Sequence, residues 1–365
     1  MKVPLVDLRA SLDPIKDELF ARFEQILDGM QLFLGPNVQA FEQEFARFCG
    51  VDHGVAVSSG TDALAATLRA VGVGPGDEVI VPSLTFFASI EAIVHVGATP
   101  VMVDVEPQTL TIDPQRVGQA VTDATRAVMP VHLYGQPADM DPILEIAGRH
   151  DLRVVEDCAQ AHGARYKGRR CGGMGDAGAF SFYFTKNLGA FGEGGFVTTR
   201  NSDLAERVRL LRHHGQVSKF EHARIGSNLR LDELQAAVLR LKLPHLESNN
   251  QCRAAIAQRY DELFADLPIK LLPTRGDCQS VYHVYPIRVA QRDALRDHLE
   301  AQGIGTGIHY KIPGHRQPAL RDVPHRAADM PVTEAVCREL LSIPMYPQLG
   351  DDQIEYVAHY VRAFM

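Results

Sequence analysis

One lysine, Lys186, directly follows the strongly apolar run Phe180-Ser181-Phe182-Tyr183-Phe184-Thr185. Desolvation lowers the pKa of an amine, and a less protonated amine is what Schiff-base chemistry with a carbonyl compound needs. A lysine that snorkels from a strand end to water is the ordinary alternative. The aromatic flank, and the following Gly189, Gly192, Gly194 and Gly195 that permit close backbone approach, favour a buried amine. A second segment, Arg153-Val154-Val155-Glu156-Asp157-Cys158-Ala159-Gln160, is an apolar strand that delivers Asp157 at its carboxyl end, where open α/β sheets hold their ligands. A carboxylate there can pair with a protonated ring nitrogen and keep that ring an electron sink, or it can merely cap the next helix. A third, His53-Gly54-Val55-Ala56-Val57-Ser58-Ser59-Gly60-Thr61-Asp62, passes from a strand through small residues into a helix. Its free amides and hydroxyls at the positive end of the helix dipole suit a phosphate, although Ser59, Thr61 or Asp62 could equally be a plain N-cap.

The elements that must position these groups are legible as short β-branched runs with helical segments between most of them. The runs are Val55–Val57, Glu78–Val81, Pro100–Val105, Arg126–His132, Arg153–Glu156, Ala179–Tyr183 and Phe196–Thr199. Their alternation predicts a three-layer α/β architecture around a mostly parallel seven-stranded sheet. Leu64, Leu68 and Val71 fall at i, i+4, i+7, and so do Leu204, Val208 and Leu211, as amphipathic helices require. A helix is expected from Leu231 to Pro244 and a strand near Tyr282–Val289. The predicted organisation is a large domain over 1–245, opening with an amphipathic arm, and a smaller C-terminal α/β domain over 246–365.

Composition narrows the partners. The 365 residues are 45% hydrophobic, enough for a sizeable core, and carry a formal net charge of -8, which disfavours nucleic acid and anionic membrane surfaces. Six cysteines show no CxxC spacing, so reduced thiols in the cytoplasm are expected. Pro4, Asp7 and Arg9 interrupt any secretory apolar stretch near the start, and no run is long and apolar enough to cross a bilayer. Fifteen histidines include no HExxH or paired-ligand spacing, so no metal is expected. Gly173–Gly178 matches GxGxxG but precedes a strand, where a dinucleotide fingerprint must follow one.

Taken in order, Ser59-Gly60-Thr61, Asp157 to Gln160 and Ser181 to Lys186 resemble the DegT/DnrJ/EryC1/StrS family of sugar aminotransferases. Further matches are Gly74-Pro75-Gly76-Asp77-Glu78-Val79-Ile80, Thr85-Phe86, Val131-His132-Leu133-Tyr134-Gly135, Asn228-Leu229-Arg230-Leu231-Asp232, and His309-Tyr310 with His315 and Gln317. The resemblance implies the fold-type I, aspartate-aminotransferase-like architecture and a homodimer that builds each active site from both subunits. It implies pyridoxal 5'-phosphate as cofactor, with pyridoxamine 5'-phosphate as its alternate form. Lys186 would bind the cofactor and shuttle the proton, Asp157 would meet the ring nitrogen, Gln160 the ring hydroxyl, and Phe86 would stack on the ring. Ser59, Gly60, Thr61 and Ser181 would hold the phosphate, with Asn228 reaching it from the neighbouring subunit. Lys219, His222, His309 and Tyr310 lie in stretches that resemble those meeting the nucleotide end of the substrate.

The implied reaction moves an amino group from glutamate or glutamine to a keto sugar in deoxyamino-sugar biosynthesis. The acceptor would be a dTDP- or UDP-linked keto-deoxyhexose, with Tyr183 and Asn187-Leu188-Gly189-Ala190 resembling members that act at C3. Phe184, Leu229, Glu193 and Cys158 depart from common family choices without removing a reactive group. Lys186 stands where related dehydratases carry His. The alternatives are an aminotransferase for a non-nucleotide keto sugar or cyclitol, and a noncatalytic sensor that binds the cofactor or a nucleotide sugar.

Overall fold

The computed structural model describes all 365 residues. Seven strands of the central sheet lie in the first 200 residues: His53–Val57 (β1), Glu78–Pro82 (β2), Thr99–Val103 (β3), Thr125–Val128 (β4), Arg153–Asp157 (β5), Ala177–Ser181 (β6) and Gly195–Thr199 (β7). In the C-terminal third lie Lys270–Leu271 (β8), Tyr285–Arg288 (β9), Arg326–Ala327 (β10) and Leu340–Ile343 (β11). The central sheet has eight strands rather than seven, in the order β1-β7-β6-β5-β4-β2-β3-β10. The extra strand, β10, joins β3 in parallel at the sheet edge. Two exposed residues without β-branched patterning gave no sequence signal for it. The sheet is mixed, because β7 runs antiparallel to both β1 and β6.

Alternate residues of each strand enter different cores, which is why the strands read as unbroken apolar runs. Val55, Val57, Val79, Val81 and Val155 pack on one face beneath the helices Gly60–Ala70 and Ser202–Arg212, burying Leu64, Leu68, Leu204, Val208 and Leu211. Ala56, Phe180 and Phe196 face the opposite layer with Phe41 and Phe45. The expected strand over Arg126–His132 stops at Val128, short of Pro130. Beyond it Val131 forms a bridge with Asp157, and the His132 amide donates to the Asp157 carbonyl at 3.0 Å.

In the C-terminal third, β8, β9 and β11 form a separate three-stranded sheet. The helices Leu246–Phe264, Arg292–Ala301 and Asp351–Phe364 cover it around Tyr260, Leu295, Leu299, Leu341 and Val357. Val3 also enters this core. It pairs with Ile304, so the first residues of the chain pack on the C-terminal sheet and not along the large one. No helix is long and apolar enough to cross a membrane.

The glycine-rich stretch at 172–178 is a packing device. Gly172 adopts φ +84, and a Cβ on Gly175 would stand 2.5 Å from the Val154 carbonyl oxygen. Buried Glu156 pins this turn: its Oε2 accepts from the Gly172 amide at 2.8 Å, and its Oε1 accepts from Met174 and Gly175 at 2.7 and 2.8 Å. His132 Nδ1 accepts from the Ala138 amide, so its Nε2 carries the hydrogen that it donates to Glu156 at 3.0 Å. Burial pushes the Glu156 carboxyl up, but His132 and the amides outweigh it and hold it below the usual range. Cys171 lies close to this pair, yet Glu156 and His132 already satisfy each other without an ion. Replacing Glu156 with Ala should strand His132 and three amides, lowering the unfolding free energy by about 3 kcal/mol or more. Urea denaturation at neutral pH reads this directly; a loss below about 1 kcal/mol would contradict the network.

Candidate active site

The carboxyl ends of β1, β2, β5 and β6 converge on one edge of the sheet, where Lys186, Asp157, the Ser59–Thr61 turn and Thr85-Phe86 emerge. Asp157 is the last residue of β5 and is buried. Its Oδ1 accepts from the Ala159 amide at 3.0 Å and its Oδ2 from the Ser89 hydroxyl at 2.7 Å. Because Ser89 spends its hydrogen on Asp157, Thr85 must donate in the 2.7 Å contact behind it. Burial raises the Asp157 pKa, opposed by Ser89, Ala159 and the Lys186 charge. A carboxylate held up by burial is stabilised by a partner that brings a proton, and a protonated ring nitrogen is such a partner.

Lys186 is half-buried, and desolvation pulls its amine down to about 8, with nearby Asp157 acting in the opposite sense. The imidazoles near it are held neutral. His162 falls to about 3 and His309 to about 4, and His283 lies well below its ordinary value, in each case by burial first and the Lys186 charge second. Asp157 is therefore the carboxylate that balances this amine.

The helix Gly60–Ala70 starts against the sheet so closely that a Cβ on Gly60 would stand 2.5 Å from Ser181 Cβ, and one on Gly195 2.0 Å from the Ser59 carbonyl oxygen. Ser59 is the N-cap, its hydroxyl accepting from the Asp62 amide at 3.1 Å; Ser58 and Ser59 both donate to Asp62 Oδ2. The plain capping role of Ser59 is thus real. The Gly60 and Thr61 amides, in the first helical turn, have no acceptor within the helix. These donors, with Ser181 beside them, fit a phosphate.

Gln160 is oriented from both ends. Its Oε1 accepts from the Tyr134 amide at 2.6 Å and its Nε2 donates to the Tyr310 hydroxyl at 2.9 Å, leaving one amide hydrogen for a ring oxygen. Tyr134 holds φ +60 to reach this position, and its hydroxyl donates to the His309 carbonyl. Tyr310 also lies 5.8 Å from Phe86, ring centre to ring centre, and Phe86 is 57% exposed, so it has a face to offer. The structure therefore brings Lys186, Asp157, Gln160, Ser59, Gly60, Thr61, Ser181, Phe86, His309 and Tyr310 to one edge. It does not bring Lys219, His222 or Asn228 to them. Lys219 and His222 sit on the exposed hairpin Gln216–His222, and exposed Asn228 pairs with His213. Ser89 and the buried Arg253 were not singled out from the sequence, and Tyr134, quoted within the matched run Val131–Gly135, carried no assigned role. Ser89 follows Thr85 at a helical spacing, the one local hint of its role, while Tyr134 and Arg253 act through contacts far apart in the chain.

Two surface hollows of about 520 and 480 Å³ are lined by Gln39–Gly54 with Arg209 and by residues around Phe48 and Leu243. Neither includes Lys186, Asp157 or Gln160. A hollow of about 250 Å³ does reach Lys186.

Residues 13–362 match the DegT/DnrJ/EryC1/StrS aminotransferase family. The chain belongs to this family. It is 48% identical to the dTDP-3-amino-3,4,6-trideoxy-alpha-D-glucose transaminase of Streptomyces venezuelae, over 99% of this chain and 96% of the relative. It is 44% identical to the UDP-N-acetyl-3-dehydro-alpha-D-glucosamine 3-aminotransferase of Acidithiobacillus ferrooxidans, over 99% of this chain and 97% of the relative. The crystal structure of S. venezuelae DesV in complex with a ketimine intermediate superposes with a TM-score of 0.97 at 48% identity, covering 100% of this chain and 98% of that one. Family membership fits a crevice with a desolvated, half-buried amine, a buried carboxylate and an open helix N-terminus.

In the cofactor-free protein the Lys186 amine should titrate near pH 8, against an ordinary lysine value of 10.5. Competitive labelling of its amine across pH, followed by peptide mass analysis, measures this. A midpoint at the ordinary value would mean that burial does not act on the amine.

Proposed function

We propose that this chain is a pyridoxal-phosphate-dependent aminotransferase acting on a keto sugar. Its acceptor is a dTDP- or UDP-linked keto-deoxyhexose aminated at C3, with glutamate or glutamine as donor. The observation that carries the reading is the desolvated amine of half-buried Lys186 near buried Asp157 at the sheet edge, next to the open start of the helix Gly60–Ala70. The names of the two relatives above, both describing 3-amino or 3-dehydro sugars on a nucleotide, support the substrate class and the carbon.

Pyridoxal phosphate, when bound, supplies a carbonyl that takes up the donor's amine and a ring that delocalises the electron pair left when a C–H bond breaks. The first turn of the helix Gly60–Ala70, with Ser59, Thr61 and Ser181, holds the phosphate by amides and hydroxyls. Asp157, kept in place by Ser89 and Ala159, holds the proton on the ring nitrogen. Gln160, fixed by Tyr134 and Tyr310, gives its remaining hydrogen to the ring oxygen, and Phe86 packs against the ring face. The Lys186 amine takes the proton from the donor's α-carbon and later delivers one to the sugar carbon; a value near 8 suits both tasks.

We also read the protein as a cytoplasmic homodimer without nucleic-acid or membrane partners. The net charge of -8 and the free state of all six cysteines support this. The exposed hairpin carries Phe220 at 84% exposure, with Ile225 at 92% just beyond it. Apolar side chains so placed call for a second surface. In that dimer Asn228 reaches the neighbour's phosphate, while Lys219 and His222 approach the nucleotide from across the interface, where His309 and Tyr310 line the near side.

Purified protein should show a visible band that bleaches with borohydride, maps to Lys186 and shifts when glutamate is added to untreated protein. Lys186→Ala should abolish amino transfer while circular dichroism stays unchanged; unaltered turnover would remove the mechanism. A screen of nucleotide-linked and free keto sugars decides the acceptor, since amination of free sugars alone would overturn the nucleotide-sugar assignment. Sedimentation should give a dimer, and Asn228→Ala should weaken cofactor retention about tenfold, as loss of a charge-assisted hydrogen bond does; an active monomer would contradict the shared site.

A further inference from the structure

His315 and Gln317 hold in place the segment that leaves the ring site at Tyr310. At its start the Tyr310 hydroxyl accepts from Gln160, and the Tyr310 ring stands 5.8 Å from that of Phe86. Further on, the same segment is pinned to Ser83, where β2 gives way to the turn Leu84-Thr85-Phe86. The Gly314 amide donates to the Ser83 carbonyl at 2.9 Å, and the His315 amide donates to the Ser83 hydroxyl at 3.2 Å. Gly314 is seated so closely that a Cβ there would stand 2.4 Å from Ile90 Cδ1 and 2.8 Å from the Ser83 carbonyl oxygen. Gln317 closes the segment on itself, its Nε2 donating to the Ile312 carbonyl at 3.3 Å.

The His315 ring is held at both nitrogens. Its Nε2 lies 3.2 Å from Glu334 Oε1, and its Nδ1 lies 2.7 Å from Ser83 Oγ. Arg316 first, and His315 after it, keep the Glu334 carboxyl below the usual carboxylate range. Nε2 therefore carries the hydrogen, and the neutral ring turns a bare Nδ1 to the Ser83 hydroxyl, which donates. Glu334 is itself fixed. It stands in the first turn of the helix Pro331–Glu339, and buried Asp104, just past β3, accepts from the Val332 and Thr333 amides there at 2.9 and 2.8 Å. A serine, a histidine and a glutamate in line suggest an activated nucleophile, but Ser83 is fully buried, and a nucleophile must be open to its substrate.

This chain of bonds holds position instead. Phe86 is exposed, and its one aromatic neighbour is Tyr310. A ring that must keep a face open to a ligand is not fixed by burial, so the turn that carries it has to be fixed from behind. We propose that His315 is a positioning residue for the cofactor ring, acting through Ser83 on the Thr85-Phe86 turn. The assignment rests on the pyridoxal-phosphate reading.

Titration of pyridoxal phosphate into the cofactor-free protein, followed by the visible band, tests it, with urea unfolding of each variant measured in parallel. His315→Ala should weaken the cofactor about tenfold, the upper end of what one net hydrogen bond is worth. His315→Asn, whose side-chain oxygen stands where Nδ1 accepts from Ser83, should recover most of that affinity. His315→Gln, which reaches towards Glu334 only, should not. In a Phe86→Ala background, His315→Ala should cost no more than about a further twofold, because the imidazole acts through that ring. Unchanged affinity in His315→Ala, a loss that adds in full to that of Phe86→Ala, or Asn and Gln variants whose affinities follow only their unfolding free energies would overturn the positioning role. Ser83→Ala deletes the same hydroxyl bond from its other end and carries the same expectations should His315→Ala fail to fold. Wild-type protein that takes up no pyridoxal phosphate removes the cofactor reading itself, whereas wild-type uptake that ignores these substitutions removes only the role of His315.

Discussion

A half-buried amine and a buried carboxylate, each pushed by desolvation towards its neutral form, are the constraint around which this molecule is arranged. Lys186 comes off β6 and Asp157 ends β5, adjacent parallel strands, so sheet register alone brings them to the same edge. Water would erase the pKa differences on which amine chemistry at neutral pH depends. The layers of helix on both faces, and the aromatic packing of Phe180 and Phe182 beneath the lysine loop, keep water out.

Positions near that pair are fixed by atoms that cannot move far. Ser89 and the Ala159 amide occupy one lone pair on each Asp157 oxygen, while Tyr134 and Tyr310 settle which end of Gln160 faces the ring site. Glu156, the neighbour of Asp157 on the other side of the strand, serves only the fold: it ties β5 to the glycine turn that leads into β6. Two adjacent acids thus take opposite duties, because alternate strand residues point to opposite faces. The close contacts at Gly60 and Gly195 then set the helix start at the edge where a phosphate would lie.

On the hairpin and just beyond it, the apolar side chains of Phe220 and Ile225 are exposed, where the strands of the central sheet bury theirs on both faces.

Most of the framework was legible from local sequence. Short β-branched runs located seven strands, and a period of about three and a half residues the helices over Leu64–Val71 and Leu204–Leu211, since burial on both faces or on one imposes those patterns directly on the chain. Lys186, Asp157 and the Ser59–Thr61 turn could be singled out because each ends an apolar strand, and the order of the three carried the family resemblance. Tertiary structure decided what local patterns cannot encode. The eighth strand, Arg326–Ala327, exists only because β3 offers an edge, and Val3 packs in the C-terminal core because Ile304 offers a partner. Ser89 became the support of Asp157, and Tyr310 the support of Gln160, through hydrogen bonds spanning 68 and 150 residues. Such contacts depend on where the folded chain returns to itself, and no spacing in the sequence records that distance.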